Sequence, residues 1–428
     1  MALPDLQEVI RGASISFSLR ILGAIAQFGL TLVIARLFGA DGMGAYGLSL
    51  TICMISSTLA RWGMDQATLK HMSIAISDEN WESARDIFFK SFSFISAISF
   101  LTSIALYYLS PAISERLFHN PNLIPLLEIM SLSIVPFSLL NLLAECLRAS
   151  KRIAEATLTQ AGLLPILTLL FLLIADRQNY GLQGVVYSYV LACLGVFTFG
   201  LWRWYKAVPS IWKKPRQASR KHPNLLATAR PMAWVAIVSL ISGFSETILL
   251  GIFDTVEEVG FYLVALRLSM LVAMVMAAFE SILAPKYASL YSNGRLREME
   301  FLAKRSMALM IAANSPLLLA FIFVPDYILS LFGKQFVVAV PVLQILMLGL
   351  LVNIFAGTQV TMLMMSGYEK KAKKIVIISA AINLGSGVLL IPSLGILGAA
   401  WAKALGLFAT AVMAPYTVRK VLKIRVPL

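Results

Sequence analysis

Residues 14–37 read SISFSLRILGAIAQFGLTLVIARL, a run of 24 residues that is apolar almost throughout. An α-helix needs about 20 residues to cross a hydrocarbon core of about 30 Å, so this run is long enough to span a bilayer. The whole chain of 428 residues is 59% hydrophobic and 14% charged, whereas a soluble domain has about 25% charged residues. The composition therefore predicts an all-α polytopic membrane protein.

Eleven more stretches are similar to the first in length and in apolar character. The twelve predicted spans are 14–37, 43–64, 87–109, 123–146, 154–174, 184–204, 232–253, 259–283, 307–331, 337–365, 375–391 and 397–414. The alternation of polar and apolar residues that the strands of a membrane barrel require is not found in them. Only a short polar stretch around Arg148, Lys151 and Arg152 separates the fourth span from the fifth.

Lys and Arg are distributed unevenly among the predicted connections. Most of the 36 fall in every second connection and in the tails, with the densest clusters at 203–230, 370–374 and 419–425. Because cytoplasmic segments carry the excess of these residues, the pattern predicts a multi-pass membrane protein with both termini in the cytoplasm. Topology and contacts with anionic membrane lipids then explain the net charge of +14, and nucleic acid is not an expected partner.

The cysteines and histidines give no indication of a metal site. Cys53, Cys146 and Cys193 lie in or at the ends of spans, and no C-x-x-C pair is present. The three histidines are isolated from one another and lie outside the spans. We therefore expect no catalytic residue, metal or cofactor, and the sequence leaves the coupling ion, proton or sodium, open.

The chain repeats itself at a separation of about 215 residues. The matching positions are Gly44-Ala45-Tyr46 with Gly260-Phe261-Tyr262, Lys70 with Lys286, Ser150 with Ser366, and Gly181-Leu182-Gln183-Gly184 with Gly395-Ile396-Leu397-Gly398. Each half holds six spans, so the two halves have the same orientation. We expect an N-terminal six-helix bundle at 1–206, a basic cytoplasmic linker at 207–230 and a C-terminal six-helix bundle at 231–428. A pseudo-two-fold axis along the membrane normal would relate the two bundles, as in transporters that work by alternating access.

Ionisable residues inside a span are candidates for a functional site, because each costs about 2.5–3.5 kcal/mol to insert. Arg20 lies in the cytoplasmic third of the first span. Gln27 and Thr31 follow it at i+7 and i+11 and so lie on the same helical face. We expect this polar stripe to face the interior of the protein and to line a substrate cavity.

Three further charges lie near the outer side of the C-terminal spans. Glu246 and Arg267 are each about 11–12 Å from the outer ends of adjacent helices, so their side chains are able to meet. They would form either a charged pair that lines an outward-opening cavity or a structural salt bridge. Lys403, in the last span, either lines the cavity or reaches the outer surface. With Arg36 at the membrane edge, the cationic set favours an anionic or phosphate-bearing substrate, since Arg binds phosphate through two hydrogen bonds.

Several short motifs resemble those of bacterial polysaccharide flippases, the O-antigen and exopolysaccharide translocases of the MATE-like exporter superfamily. The motifs are Ala35-Arg36-Leu37-Phe38-Gly39 with Gly42-Met43-Gly44-Ala45-Tyr46, then Gly260-Phe261-Tyr262 with Arg267 and Pro285-Lys286, then 391–400. The resemblance covers essentially the whole chain. It implies two six-helix bundles around a partly cationic cavity, in which the matching residues Arg36 and Arg267 would face the substrate.

The resemblance also implies an activity. Members of this family move undecaprenyl-diphosphate-linked oligosaccharides from the cytoplasmic to the outer leaflet for surface polysaccharide biosynthesis, and a polysaccharide polymerase machinery is a possible partner. Lipid II flippases are similar but usually have two more helices.

Other classes of protein remain open from the sequence. A MATE-type drug or cation antiporter would share the fold but would need unpaired carboxylates in the membrane. A major-facilitator transporter would need an acidic, Arg-rich turn after its second helix, which is absent here. A membrane glycosyltransferase or polysaccharide ligase would be an enzyme with acidic or His groups on a large outer loop, and the longest outer loop, around 110–122, is short.

Overall fold

A computed structural model of the protein describes residues 3–213 and 224–424, and their side chains from residue 18 onward except those of Ser210 and Lys213. Throughout these residues the fold is helical and contains no strand. The helices, in chain order, are α1 (Leu3–Arg61), α2 (Met64–Ser77), α3 (Trp81–Ala112), α4 (Ile124–Ser131), α5 (Ile134–Ala149), α6 (Ile153–Thr157), α7 (Leu163–Arg177), α8 (Gly181–Ala207), α9 (Pro209–Lys213), α10 (Leu225–Phe253), α11 (Val256–Ser292), α12 (Leu296–Phe323), α13 (Pro325–Ser330), α14 (Val340–Ala356), α15 (Gln359–Met365) and α16 (Glu369–Leu422).

Within the described residues, nine helices are long and apolar enough to cross a membrane. A tenth span consists of two segments, Pro121–Ser131 and Ile134–Ala149, which are bent by 46° relative to each other. At 59 and 54 residues, α1 and α16 are each over 80 Å long, more than twice the thickness of a hydrocarbon core. Each is broken at a glycine with positive φ, so each supplies two spans. The resulting twelve spans confirm the predicted fold class.

The breaks in α1 and α16 occur at Gly39 and Gly395. Their φ angles are 70° and 54°, values that an L side chain rarely adopts. Each break falls in a connection that the sequence analysis predicted between two spans. Glycine is therefore what allows the chain to turn there within one or two residues.

Prolines and glycines also interrupt three predicted spans that the sequence analysis treated as continuous. In the fourth span, Pro136 lies in the first turn of α5, where it cannot donate a hydrogen bond to the preceding helix. In the ninth, α12 ends at Phe323 because Pro325 disfavours the helical conformation at Val324. In the tenth, α14 ends before Gly357, which has a φ of 67°.

The chain divides into two compact units. The N-terminal unit comprises Met1–Phe38 and Ala45–Leu240, and the C-terminal unit comprises Gly39–Gly44 and Ile241–Leu428. The predicted linker at 207–230 lies partly outside the described residues, because the description ends at 213 and resumes at 224. Its last six residues belong to α10.

In the C-terminal unit, the segment Gly39–Gly44 packs backbone to backbone against the start of α11. A Cβ atom at Gly44 would lie 1.8 Å from the carbonyl oxygen of Val256, and one at Gly260 would lie 2.0 Å from that of Ala40. Ala40 lies four residues before Gly44, and Val256 lies four residues before Gly260. The two halves of the contact are therefore equivalent under the internal repeat. We call this contact the glycine crossing. Small residues permit such close approach of helices in membranes.

Candidate functional site

Lys403 lies on a part of α16 that is built from small residues. The buried small residues around it are Ala399, Ala400, Ala402, Ala404 and Gly406. This stretch packs closely against α14, since a Cβ atom at Gly349 would lie 3.0 Å from the Cα atom of Ala404. Close packing of two helix backbones holds α16 in a defined position, and with it the base of the Lys403 side chain.

Lys403 forms a salt bridge with Glu246 of α10. Its Nζ atom lies 3.2 Å from Glu246 Oε1 and donates a hydrogen bond to the carbonyl oxygen of Ser242 at 2.7 Å. The Glu246 side chain is only 2% exposed, whereas that of Lys403 is 21% exposed. A buried carboxylate is tolerated when a cation and hydrogen bonds compensate its charge, so this pair is compatible with a position inside the membrane.

The carboxylate of Glu246 accepts one hydrogen bond from a neighbouring hydroxyl group. Ser245 Oγ donates to Glu246 Oε2 at 3.3 Å. Glu246 Oε1, the oxygen that forms the ion pair with Lys403, accepts no hydrogen bond among the described residues. The hydroxyl of Tyr262, on α11, is buried and likewise has no hydrogen-bond partner among the described residues.

Lys403 also forms part of the wall of a cavity of about 340 Å³ in the C-terminal unit. Its polar lining residues are Ser269, Glu280, Asn353 and Lys403, and the rest of the lining is apolar. The lining on α11 extends from Leu266 to Glu280, which corresponds to about 21 Å of helix. The volume lies at the lower end of the range of about 300–1,000 Å³ in which small ligands bind.

Arg267 contacts a residue of the cavity lining but is not itself part of that lining. It is half-buried on α11, between Leu266 and the cavity-lining Met270. Its Nη1 atom is 3.7 Å from the sulfur atom of Met270. The structure thus brings Glu246, Arg267 and Lys403 into one region of the C-terminal unit, and their role in binding stays a prediction.

The other predicted cavity residues lie on α1, in the N-terminal unit. Arg20 and Arg36 are exposed and Gln27 is half-buried. The carbonyl oxygen of Gln27 accepts a hydrogen bond from Thr31 Oγ1 at 2.9 Å, and Thr31 is buried. Only the last residue of the predicted polar stripe is therefore fully enclosed, and a substrate-facing role for these residues also stays a prediction.

Sequence reasoning did not find the partnership between Glu246 and Lys403. It placed both residues a few turns below the outer ends of their helices, but it matched Glu246 with Arg267 because those two are closer in the sequence. Their similar depth was the available signal. The contact between α10 and α16 that joins them is a tertiary feature, which no local pattern reveals.

A buried polar network in the N-terminal unit was missed as well. Arg148 Nη1 lies 2.6 and 2.7 Å from the two carboxylate oxygens of Glu145, and Arg148 Nη2 donates to Gln160 Oε1 at 2.8 Å. Gln66 Nε2 donates to Glu145 Oε1 at 3.3 Å. Glu145 is buried. Gln160 lies in a π-helical turn, a local irregularity without a clear sequence signature.

Comparison with known proteins gives matches over most of the chain. A family model described as "Polysaccharide biosynthesis protein" matches residues 33–341. The chain is 26% identical over 379 residues to the "Probable flippase AglR" of Haloferax volcanii, covering 87% of this chain and 76% of that protein. It is 25% identical over 418 residues to the "Probable low-salt glycan biosynthesis flippase Agl15" of the same organism, covering 95% and 82%.

Solved structures have the same fold. The lipid II flippase MurJ, in an inward closed conformation, superposes with a TM-score of 0.73 over 96% of this chain and 87% of that one, at 18% identity. An inward-facing multidrug resistance MATE transporter of the MOP superfamily gives a TM-score of 0.67 over 94% and 98%, at 16% identity. At these identities the structures establish the fold and leave the cargo open.

Proposed function

The chain belongs to the polysaccharide biosynthesis protein family, and on that premise we propose that it is a flippase for a lipid-linked oligosaccharide. The observation that carries the proposal is the similarity to two proteins named as flippases, which extends over 87% and 95% of the chain. One of the two is named for glycan biosynthesis. The cargo would be an oligosaccharide on an undecaprenyl diphosphate carrier, moved from the cytoplasmic to the outer leaflet for surface polysaccharide biosynthesis.

The charges of the chain support this cargo. A diphosphate cannot enter hydrocarbon without compensation, because an uncompensated charge at membrane depth is costly. Arg20, Arg36, Arg267 and Lys403 supply positive charge, and Gln27 supplies an amide that is able to bind a sugar or a phosphate oxygen. Transport would follow alternating access, with the two bundles rocking about the bound headgroup.

A MATE-type antiporter is less well supported than a flippase. Such a transporter would need an unpaired carboxylate within the membrane for proton or sodium coupling. The deep carboxylate that the sequence analysis singled out, Glu246, forms an ion pair with Lys403. Glu280, which lines the cavity, lies only three residues from the predicted cytoplasmic end of its span, so it is not the deep carboxylate that coupling would need. The likeness to MATE structures at 16% identity concerns the fold alone.

An enzyme is also less well supported. The two relatives described above are both named flippases, and the predicted outer connection at 110–122 is too short for the large catalytic loop of a membrane glycosyltransferase or ligase. We therefore propose a transporter without a catalytic residue or a cofactor, and leave the coupling ion open.

We propose that both termini lie in the cytoplasm, in the inner membrane of a bacterial cell. The excess of Lys and Arg in the predicted cytoplasmic segments supports this orientation. The two relatives described above are archaeal, so they do not support the bacterial membrane. Single cysteines at two exposed loop residues test it, because Asn122→Cys should react with an impermeant thiol reagent from outside and Asn293→Cys only from inside. The opposite labelling pattern would reverse the topology. A polysaccharide polymerase machinery is a possible partner.

Deletion of the gene tests the proposed function in the cell. Lipid-linked oligosaccharide should accumulate on the cytoplasmic leaflet, and surface polymer should be lost, while expression of the intact chain should restore both. Unchanged lipid intermediates together with altered drug sensitivity would contradict the flippase and favour the antiporter.

A further inference from the structure

We propose that Lys403 binds a phosphate of the substrate and that Glu246 is the internal counter-ion which the phosphate displaces. This inference rests on the proposed function and goes further, because it assigns the exchange to one ion pair. The observation behind it is an asymmetry: the carboxylate of Glu246 is enclosed, whereas the side chain of Lys403 reaches the wall of a cavity. An ion pair with only a structural role has no need of such access.

The ammonium group has capacity for a further acceptor. It carries three N–H donors, and its hydrogen bond to the Ser242 carbonyl uses one of them. The contact with the Ser242 carbonyl fixes the ammonium group without neutralising it. The contact with Glu246, at 3.2 Å, is an ion pair without a hydrogen bond, because Glu246 Oε1 has no hydrogen-bond partner among the described residues. A phosphate oxygen that accepts a charge-assisted hydrogen bond therefore competes for Lys403 on favourable terms.

The cavity accommodates an anionic headgroup but not a whole oligosaccharide. Its volume of about 340 Å³ and its mostly apolar lining suit a diphosphate with the adjoining part of a polyprenyl chain. Glu280 is the other charged group of the lining and would repel the anion. It lies about 20 Å of helix away from Arg267 along α11, so the phosphates should bind at the end of the cavity where Lys403 lies.

The surroundings of Glu246 provide a partner for the released carboxylate. Without its cation, a buried carboxylate needs hydrogen bonds to offset its desolvation. Ser245 already donates one of them, to Oε2. The hydroxyl of Tyr262, on the next helix in the chain, is buried and unpartnered among the described residues, so a bond from it to Glu246 when phosphate occupies Lys403 would satisfy both groups.

Binding of geranylgeranyl diphosphate to purified protein in lipid nanodiscs tests the exchange, with phosphate-free geranylgeraniol as the reference ligand. Glu246→Gln removes the competing charge and should tighten binding of the diphosphate about tenfold without affecting geranylgeraniol. The double variant Glu246→Gln/Lys403→Met removes the pair without leaving an isolated charge, and it should fold but bind the diphosphate at least tenfold more weakly. Lys373→Met, at an exposed lysine of the same helix, should bind like the wild type.

Wild-type binding by the double variant would overturn the inference, because the pair would then be only structural. If Glu246→Gln alone fails to fold, the double variant still decides. Equal competition by phosphatidylglycerol at matched concentration would assign the site to ordinary lipid headgroups and likewise contradict the proposal.

Unimpaired oligosaccharide transport by the double variant would overturn the inference and leave the flippase function intact. Diphosphate binding through Lys403 by a protein that fails to transport would support the inference and refute the flippase.

Discussion

The ion pair of Glu246 and Lys403 differs in kind from the ion pairs at exposed positions of the chain. Arg295 and Glu298 form a pair whose side chains are 57% and 54% exposed, and such a pair contributes about 0–1 kcal/mol. For a buried pair, removal of one partner typically costs about 3–5 kcal/mol, whereas replacement of both by apolar residues is often neutral. The buried pair therefore adds little to stability compared with apolar residues in the same place, and for this reason we assign it a role in binding.

The position of a residue along its helix was predictable from the sequence, and its partner was not. Counting from predicted helix ends placed Glu246, Arg267 and Lys403 at similar distances from those ends, because every helical residue advances by 1.5 Å. The partner of Glu246 depends on which helices pack together, and α10 and α16 are separated by more than a hundred residues. The same limit applies to Glu145, which accepts a hydrogen bond from Gln66 of another helix.

His71 provides a prediction about pH at the level of one residue. It lies on α2, outside the spans, and its Nε2 atom is 2.9 Å from Thr228 Oγ1. Burial lowers the pKa of its imidazole below the ordinary value of 6.5, and the charge of Lys70 lowers it further. The unfolded chain therefore takes up this proton first, so the contribution of His71 to stability is complete above pH 6.5 and falls as the pH drops from 6.5 to the folded pKa.

A titration of histidine-labelled protein by NMR measures this pKa directly. His71 should titrate below pH 6.5, and Lys70→Gln should raise its pKa because a nearby positive charge is removed. The matched change Lys373→Gln, at an exposed lysine in the C-terminal unit, should leave it unaltered. A pKa at or above 6.5 would show that the imidazole is not desolvated as described.

At the scale of the element, the glycine crossing is the most demanding contact in the fold. A Cβ atom at Gly44 or Gly260 would overlap a backbone carbonyl, which cannot move aside as a side chain does. Overpacking typically costs about 1–3 kcal/mol, and a clash with backbone should fall at or above the upper limit. We therefore expect Gly44→Ala and Gly260→Ala to lower the Tm of the purified protein by similar amounts.

Gly385 is the matched control for the glycine crossing. It is an exposed helical glycine of α16, and a Cβ atom there meets nothing within 4 Å. Gly385→Ala should be neutral or stabilising by up to about 1 kcal/mol, because alanine has the higher helix propensity. Equal Tm values for Gly44→Ala and Gly385→Ala would show that the helices do not approach as closely as the structure indicates.

Element boundaries were predictable where glycine or proline marked them clearly. Gly39 and Gly395 stand in predicted connections and form the breaks in α1 and α16. Pro136, Pro325 and Gly357 lie inside long apolar runs, so each run was predicted as one continuous span. In the structure each of these residues ends or bends a helix. An apolar run indicates that a segment is in the membrane, but it does not indicate that the segment is one straight helix.

At the scale of the whole molecule, composition and charge were enough for the fold class. The number of spans, the helical class and the flippase family follow from apolar length, from the internal repeat and from a few glycine and arginine motifs. The cargo-binding residues do not follow, since a membrane cavity is formed by side chains from many helices. The repeat marked Gly44 and Gly260 as equivalent positions, but that they meet in the glycine crossing is a tertiary feature that the sequence analysis did not predict.

Transport by purified protein tests the central claim most directly. The measurement uses vesicles that contain a fluorescent polyprenyl-diphosphate oligosaccharide, with an impermeant glycosidase to report how much sugar is on the outer leaflet. Vesicles with the intact chain should expose sugar from the inner leaflet over time, whereas vesicles with Glu246→Gln/Lys403→Met should do so at least tenfold more slowly. If vesicles with the intact chain behave like protein-free vesicles under every ion gradient applied, the protein is not a flippase for this class of lipid.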